Sequence, residues 1–225
     1  MVRVVLRSIG GLACALVLGM SAGSAGAATF VEGSLLSGGV KLDLSGAAPC
    51  GASGGFASNV GTFSGSGPDG SGTASCGVRS SPQAKTPTTP NPYGRFDPEG
   101  IAWVDSNDLT HVAWTVDVGN AVKAVSFLLS DAHDQPNSFF RLTAEGSVWS
   151  IAEREANGTG HLLTILFDNP VLNPVLTFET RHNDGWGVAN VRVEPVPVPP
   201  ALLLAATGAG LLAVAGRRRR RRAAA

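Results

Sequence analysis

Between residues 96 and 195, apolar and polar side chains alternate with a period of two, as strands with one buried face require. Val112, Trp114, Val116 and Val118 fall on one face, with His111, Thr115 and Asp117 on the other. Val125, Phe127 and Leu129 repeat the pattern, as do Leu163, Ile165 and Phe167, and then Leu176, Phe178 and Thr180. A closing strand fits Val188 to Val193, and near the start Val40, Leu42 and Leu44 alternate with Lys41 and Asp43. Turn-forming residues punctuate these runs: Gly119-Asn120, Gln135-Pro136-Asn137, Asn157-Gly158, Asn169-Pro170 and Asn183-Asp184-Gly185. Asn157-Gly158 is the pair that tight hairpins favour, so a hairpin is expected there. The helical period of 3.6 is absent outside the two termini. The pattern predicts a mainly β chain whose core is a single antiparallel β-sandwich, jelly-roll-like, over residues 29–194.

The two ends read differently. Met1 to Ala28 has basic residues at Arg3 and Arg7, an apolar run from Ile9 to Met20 and the small residues Ala25-Gly26-Ala27. That order predicts a secretory signal peptide cut after Ala27 or Ala28. At the other end, residues 195–225 contain Val196-Pro197-Val198-Pro199-Pro200, an uncharged run from Ala201 to Gly216, and Arg217, Arg218, Arg219, Arg220, Arg221 and Arg222. As a helix the apolar run rises about 24 Å at 1.5 Å per residue. That is short against a hydrocarbon core of about 30 Å, and snorkelling arginines extend its reach. A transmembrane helix with a cytoplasmic C-terminus is the expectation.

This ending resembles the C-terminal sorting signal of PEP-CTERM proteins, in the variant carrying a Val-Pro-Leu-Pro-Ala motif. Val198 stands where that motif has Leu and Pro200 where it has Ala. The resemblance covers about thirty residues. It implies a Gram-negative envelope protein recognised by an exosortase-type enzyme in the inner membrane, cut near the motif, and released or attached at the cell surface; proteins with such tails often accompany exopolysaccharide and biofilm genes.

Charge supports export. The chain has 17 basic and 17 acidic residues, but eight of the basic ones (Arg3, Arg7 and the six C-terminal arginines) lie in the terminal segments, where no acidic residue occurs. The exported part is therefore acidic by eight charges, which argues against a nucleic-acid partner. Residues 46–92 are dense in Gly, Ser, Pro and Thr, with too few large apolar residues for a core of their own. Cys14 falls in the signal peptide, leaving Cys50 and Cys76 as an even pair in an oxidising compartment. A disulfide between them would close a loop worth on the order of 3 kcal/mol.

Candidate chemistry is sparse. No two of His111, His133, His161 and His182 have zinc-helix spacing, and no Gly-x-Ser-x-Gly elbow supports a nucleophile, so no catalytic residue is assigned. Glu153 and Glu155 flank Arg154 and read as a solvated face rather than a carboxylate pair. Asp105, Asn107 and Asp108 cluster oxygen ligands that would suit calcium, the one candidate cofactor, although an Asx-stabilised turn is the favoured reading. Asp184 to Val193 also resembles the closing strand of extracellular and carbohydrate-binding-type sandwiches. By that analogy Glu32 and Asp184 would join in a structural calcium site. Of Trp103, Trp114, Trp149 and Trp186, the last sits beside a turn and is the best candidate for stacking on a sugar ring, although core packing is its favoured role. Three functions remain open: a non-enzymatic cell-surface or matrix protein, a secreted polysaccharide-active hydrolase, and a permanently anchored envelope protein bearing a carbohydrate-binding sandwich.

Overall fold

The computed structural model describes residues 27–45, 55–66, 82–85, 102–181 and 184–197. Most of the signal peptide, Cys50, Cys76, Val198 to Pro200, the apolar run and Arg217 to Arg222 lie outside them. Among the described residues every regular element is a strand, and no helix is long and apolar enough to cross a membrane.

Thirteen strands follow in chain order: β1 (Ala28–Glu32), β2 (Val40–Lys41), β3 (Gly55–Ser58), β4 (Gly61–Ser66), β5 (Gln83–Lys85), β6 (Trp103–Asp105), β7 (His111–Val116), β8 (Val122–Ser130), β9 (Phe140–Ala144), β10 (Ser147–Ile151), β11 (Gly160–Val171), β12 (Val175–Thr180) and β13 (Gly187–Pro195). They form two sheets. The first runs β1-β11-β8-β13-β6-β5, with β2 pairing the later part of β13; the second runs β10-β9-β12-β7-β4-β3. Every pairing described is antiparallel.

The alternation seen in the sequence sets which faces meet. Val112, Trp114 and Val116 of β7 are fully buried, as are Val125, Phe127 and Leu129 of β8. In the second sheet Phe63, Trp114, Leu176 and Ala144 fall in one register row. Rings then connect the sheets: Phe56 stacks on Phe63 (5.2 Å), Phe63 on Trp114 (5.0 Å), and Trp114 meets Phe127 of the first sheet edge-on at 6.4 Å. Phe127 contacts Phe178, which stacks on Trp186 at 4.6 Å. Burying each such ring is worth about 1.5–3 kcal/mol, and the Trp114 indole N–H keeps a partner in the Val60 carbonyl at 3.1 Å.

Two details correct the sequence reading. Asn157-Gly158 does turn, with Gly158 at φ 78°. It joins no hairpin, because it lies on the connection from β10 in the second sheet to β11 in the first. The tight two-residue hairpin is instead Glu145-Gly146 between β9 and β10, where both residues have positive φ (45° and 78°), as a type I′ turn requires. In the Val40–Leu44 run only Val40 and Lys41 are paired as a strand, while Leu42 and Leu44 still turn inward and are buried.

The two outer faces differ. Residues 33–39 cross the first sheet as a strap. Gly33 donates to the Leu162 carbonyl (2.8 Å), Thr164 Oγ1 donates to the Ser34 carbonyl (2.8 Å), and the Leu36 amide donates to Ser126 Oγ (3.0 Å). This cover explains why Thr164 and Ser126, on the outward side of their strands, are buried. The outer face of the second sheet stays open, with Thr62, Ser64, Arg141, Val148, Ser150 and Val175 exposed.

Candidate functional site

The polar residues of the first sheet concentrate at one end, where the turn after β6, the loop between β8 and β9, the loop between β10 and β11, and the entry to β13 come together. Ser106 exchanges bonds with Trp186: its amide donates to the Trp186 carbonyl and its Oγ accepts the Trp186 amide, both at 2.9 Å. Asp131 Oδ1 accepts the Gly158 amide at 2.9 Å, the Glu155 amide donates to the His133 carbonyl, and the Arg154 guanidinium donates to the Asp134 carbonyl at 2.6 Å. Asn107, Asp108, Asp131, His133 and Asn137 all have positive φ, which polar side chains of this kind tolerate best.

Asp184 sits inside this cluster at 0 % exposure, and neither of its carboxylate oxygens has a hydrogen-bond partner. Burial pushes its carboxyl up to about 7; the Asp134 carboxylate beside it pushes the same way, while the Asp134 backbone amide pulls it down. The Ser138 hydroxyl acts in the opposite sense, although its proton is directed to the Arg181 carbonyl at 2.8 Å. Asp134 is itself buried and accepts the Gln135 amide at 3.0 Å.

The expected calcium ligands are not brought together as a set. Glu32 Oε1 accepts the Trp149 indole N–H at 2.7 Å, at the edge where β1 faces β10. Asp105 Oδ1 accepts the Asn107 amide at 2.9 Å, so Asp105, Asn107 and Asp108 build an Asx-stabilised turn. Asp184 faces Asp134 instead of Glu32. Among the described residues, no group of three His, Cys, Asp or Glu side chains is placed to hold a metal ion. Trp186 is also corrected as a sugar platform: it is 1 % exposed, stacked on Phe178 and edge-on to Phe140 at 5.9 Å. Glu155 is tied to His161 at 2.7 Å and Glu153 is exposed, so the two do not act as a carboxylate pair.

A second grouping, absent from the sequence reading, lies on the open face of the second sheet. Ser150, Arg141, Glu179 and His111 occupy one register row across β10, β9, β12 and β7. Arg141 Nε lies 3.1 Å from Glu179 Oε2, and His111 Nδ1 lies 3.9 Å from Glu179 Oε1. One step beyond the last ladder pair, Thr180 with Phe140, the Phe139 ring lies 5.4 Å from both the Arg141 and the Arg181 guanidinium carbons. The next row, Val148, Thr143, Thr177, Ala113 and Ser64, is rich in hydroxyls. The shared parity of Phe139 and Arg141 was visible in the chain, but the approach of Arg181 depends on the β9–β12 register.

No protein-family model, curated protein or solved structure matches this chain.

Proposed function

We propose that the chain is an exported, non-enzymatic cell-surface or matrix protein whose two-sheet domain is the working unit and whose two ends are address signals. The observation that carries this reading is how closely the fold is bounded by those signals. β1 opens at Ala28, with the Ala27 carbonyl accepting the Asp168 amide at 3.0 Å. β13 ends at Pro195, and the last backbone bond among the described residues runs from the Val196 amide to the Ala121 carbonyl at 2.8 Å. The Pro motif begins at that same residue, so cutting within it would leave every strand whole. The tail is read as a transmembrane helix and an exosortase-type signal on its resemblance alone.

We read the wrap of the chain as a jelly roll. The order β6-β13-β8-β11 in one sheet against β7-β12-β9-β10 in the other supports this, since consecutive strands pass back and forth between sheets as two nested Greek keys do. β1 and β5 then extend the first sheet at its edges, and β4 and β3 extend the second.

The test is the intact mass of the mature protein recovered from envelope and medium of the native host. Loss of residues 1–27 or 1–28 and of everything beyond the Val196–Pro200 region is the expected result. A mature protein that keeps Ala201 to Ala225 in the membrane fraction would be permanently anchored, and the sorting proposal would fall.

A further inference from the structure

We infer that the open face of the second sheet is a binding surface for a carboxylate-bearing polysaccharide, held by Arg141 and Arg181 on either side of Phe139. Charge gives the first argument. The part of the chain between the terminal segments is acidic by eight charges, yet around Phe139 this face gathers the guanidinium groups of Arg141 and Arg181, with Glu179 and His111 in the adjoining row and Asp117 just past the far end of β7. Arg141 is already paired with Glu179. Arg181 is exposed and has no carboxylate partner among the described residues, although its guanidinium is drawn to the Phe139 ring. Two like charges gathered on one ring repel each other, and an anion between them removes that cost. A guanidinium held by an aromatic face also loses less freedom when it takes a carboxylate in its two-pronged geometry.

The shape of the surface selects the class of partner. Peptides are usually taken at a free strand edge or in a groove. Here Arg141 stands on the flat side of the inner strand β9, with Arg181 just past the end of β12, and the neighbouring row offers Thr143, Thr177 and Ser64 beside Val148 and Ala113. Rows of hydroxyls beside fixed guanidinium groups match the hydroxyls and carboxylates of an extended polyuronate. Among the described residues the strap covers the other sheet, while Arg141, Arg181, Val148 and Ser150 on this side are exposed. The inference deepens the proposed function by naming the polymer class, and it rests on that reading only for where the polymer is met.

Affinity electrophoresis of the intact chain through gels containing polygalacturonate, with neutral dextran as control and EDTA throughout, tests it. Polygalacturonate is expected to retard the protein several-fold more than dextran, with the retardation fading as salt rises. Arg141→Gln/Arg181→Gln should remove most of that difference. If the double variant does not fold, Arg181→Gln alone serves, because its side chain is exposed and lies outside the ladder. Equal migration in the two gels, undiminished retardation in the variant that folds, or retention by phosphatidylserine vesicles with no polygalacturonate effect would each overturn the inference. Wild type and variant are compared with the same ends, because Arg217 to Arg222 would themselves draw polygalacturonate; the deciding outcome is the difference between the two, so the mass measurement and this one fail separately.

Discussion

A carboxylate withdrawn from water loses its hydration, and it is tolerated only with a counter-charge, a set of donors or a proton. Asp184 has no partner on either oxygen, and its neighbour Asp134 carries the same charge. The Ser138 hydroxyl and the Asp134 backbone amide favour the charged form of Asp184, but neither makes a hydrogen bond to it, burial outweighs both, and the nearby Arg154 Nε is directed to the Asp134 carbonyl. A proton is what remains. The folded protein therefore holds a proton on Asp184 up to about pH 7, whereas the unfolded chain releases it near 3.8. Stability from this residue is full below the unfolded value and is lost as pH rises through about 7. The rise from 3.8 to about 7 sets an upper bound of about 4 kcal/mol on that loss. Thermal unfolding followed between pH 5 and pH 8 should show wild type weakening across the interval. Asp184→Asn, which is neutral and brings an amide donor toward Asp134, should flatten the profile and be the more stable of the two at pH 8. Parallel profiles for the two proteins would show that Asp184 is not the group responsible.

Backbone geometry makes a sharper demand at the β3–β4 hairpin. Gly61 has φ 115°, and a Cβ there would run into the Thr115 carbonyl of β7. Gly61→Ala should cost on the order of 2–3 kcal/mol, combining left-handed strain with displacement of the ladder, and a denaturant midpoint reads it directly. The strap over the first sheet is held more lightly. Ser126→Ala removes the acceptor of the Leu36 amide inside a fully buried position, at about 1–2 kcal/mol. Hydrogen exchange should speed up at Leu36 while the Trp114 amide in β7 stays protected; equal acceleration at both would mean the strap is part of the global unfolding unit. These elements also show what could be read from the chain. The period of two placed Val112, Trp114, Val116, Phe127 and Phe178 inside correctly, because alternation is a local property. Pairing is not local. Asn157-Gly158 has the same turn chemistry on a crossover as in a hairpin, while Glu145-Gly146 makes the hairpin without an Asn. The site was harder still: Asp134 and Asp184 are fifty positions apart, and Arg181 reaches Phe139 only through the register of β9 with β12. Trp186 looked exposed beside its turn because nothing local reveals Phe178 and Phe140 closing over it.

The closing strand decides what the molecule does when its ends are removed. β13 pairs β8 along one side and β6 and then β2 along the other, so the last described strand occupies the middle of the first sheet. Its Val188, Val191 and Val193 side chains are fully buried in the core shared with the second sheet. Folding therefore cannot be completed until this strand has arrived, and the segment directly behind it is the natural place for a detachable address. Two truncations separate these roles. A chain ending at Pro197 keeps every described strand and the bond from Val196 to Ala121, so its melting temperature should lie within roughly 2 °C of the intact protein. A chain ending at Trp186 lacks β13, exposes the facing edges of β8 and β6, and should give no cooperative transition. A large fall in melting temperature for the first truncation would show that residues beyond Pro197 brace the fold. The tail could not then be an address that is discarded, and the export reading would need a mature protein that keeps it.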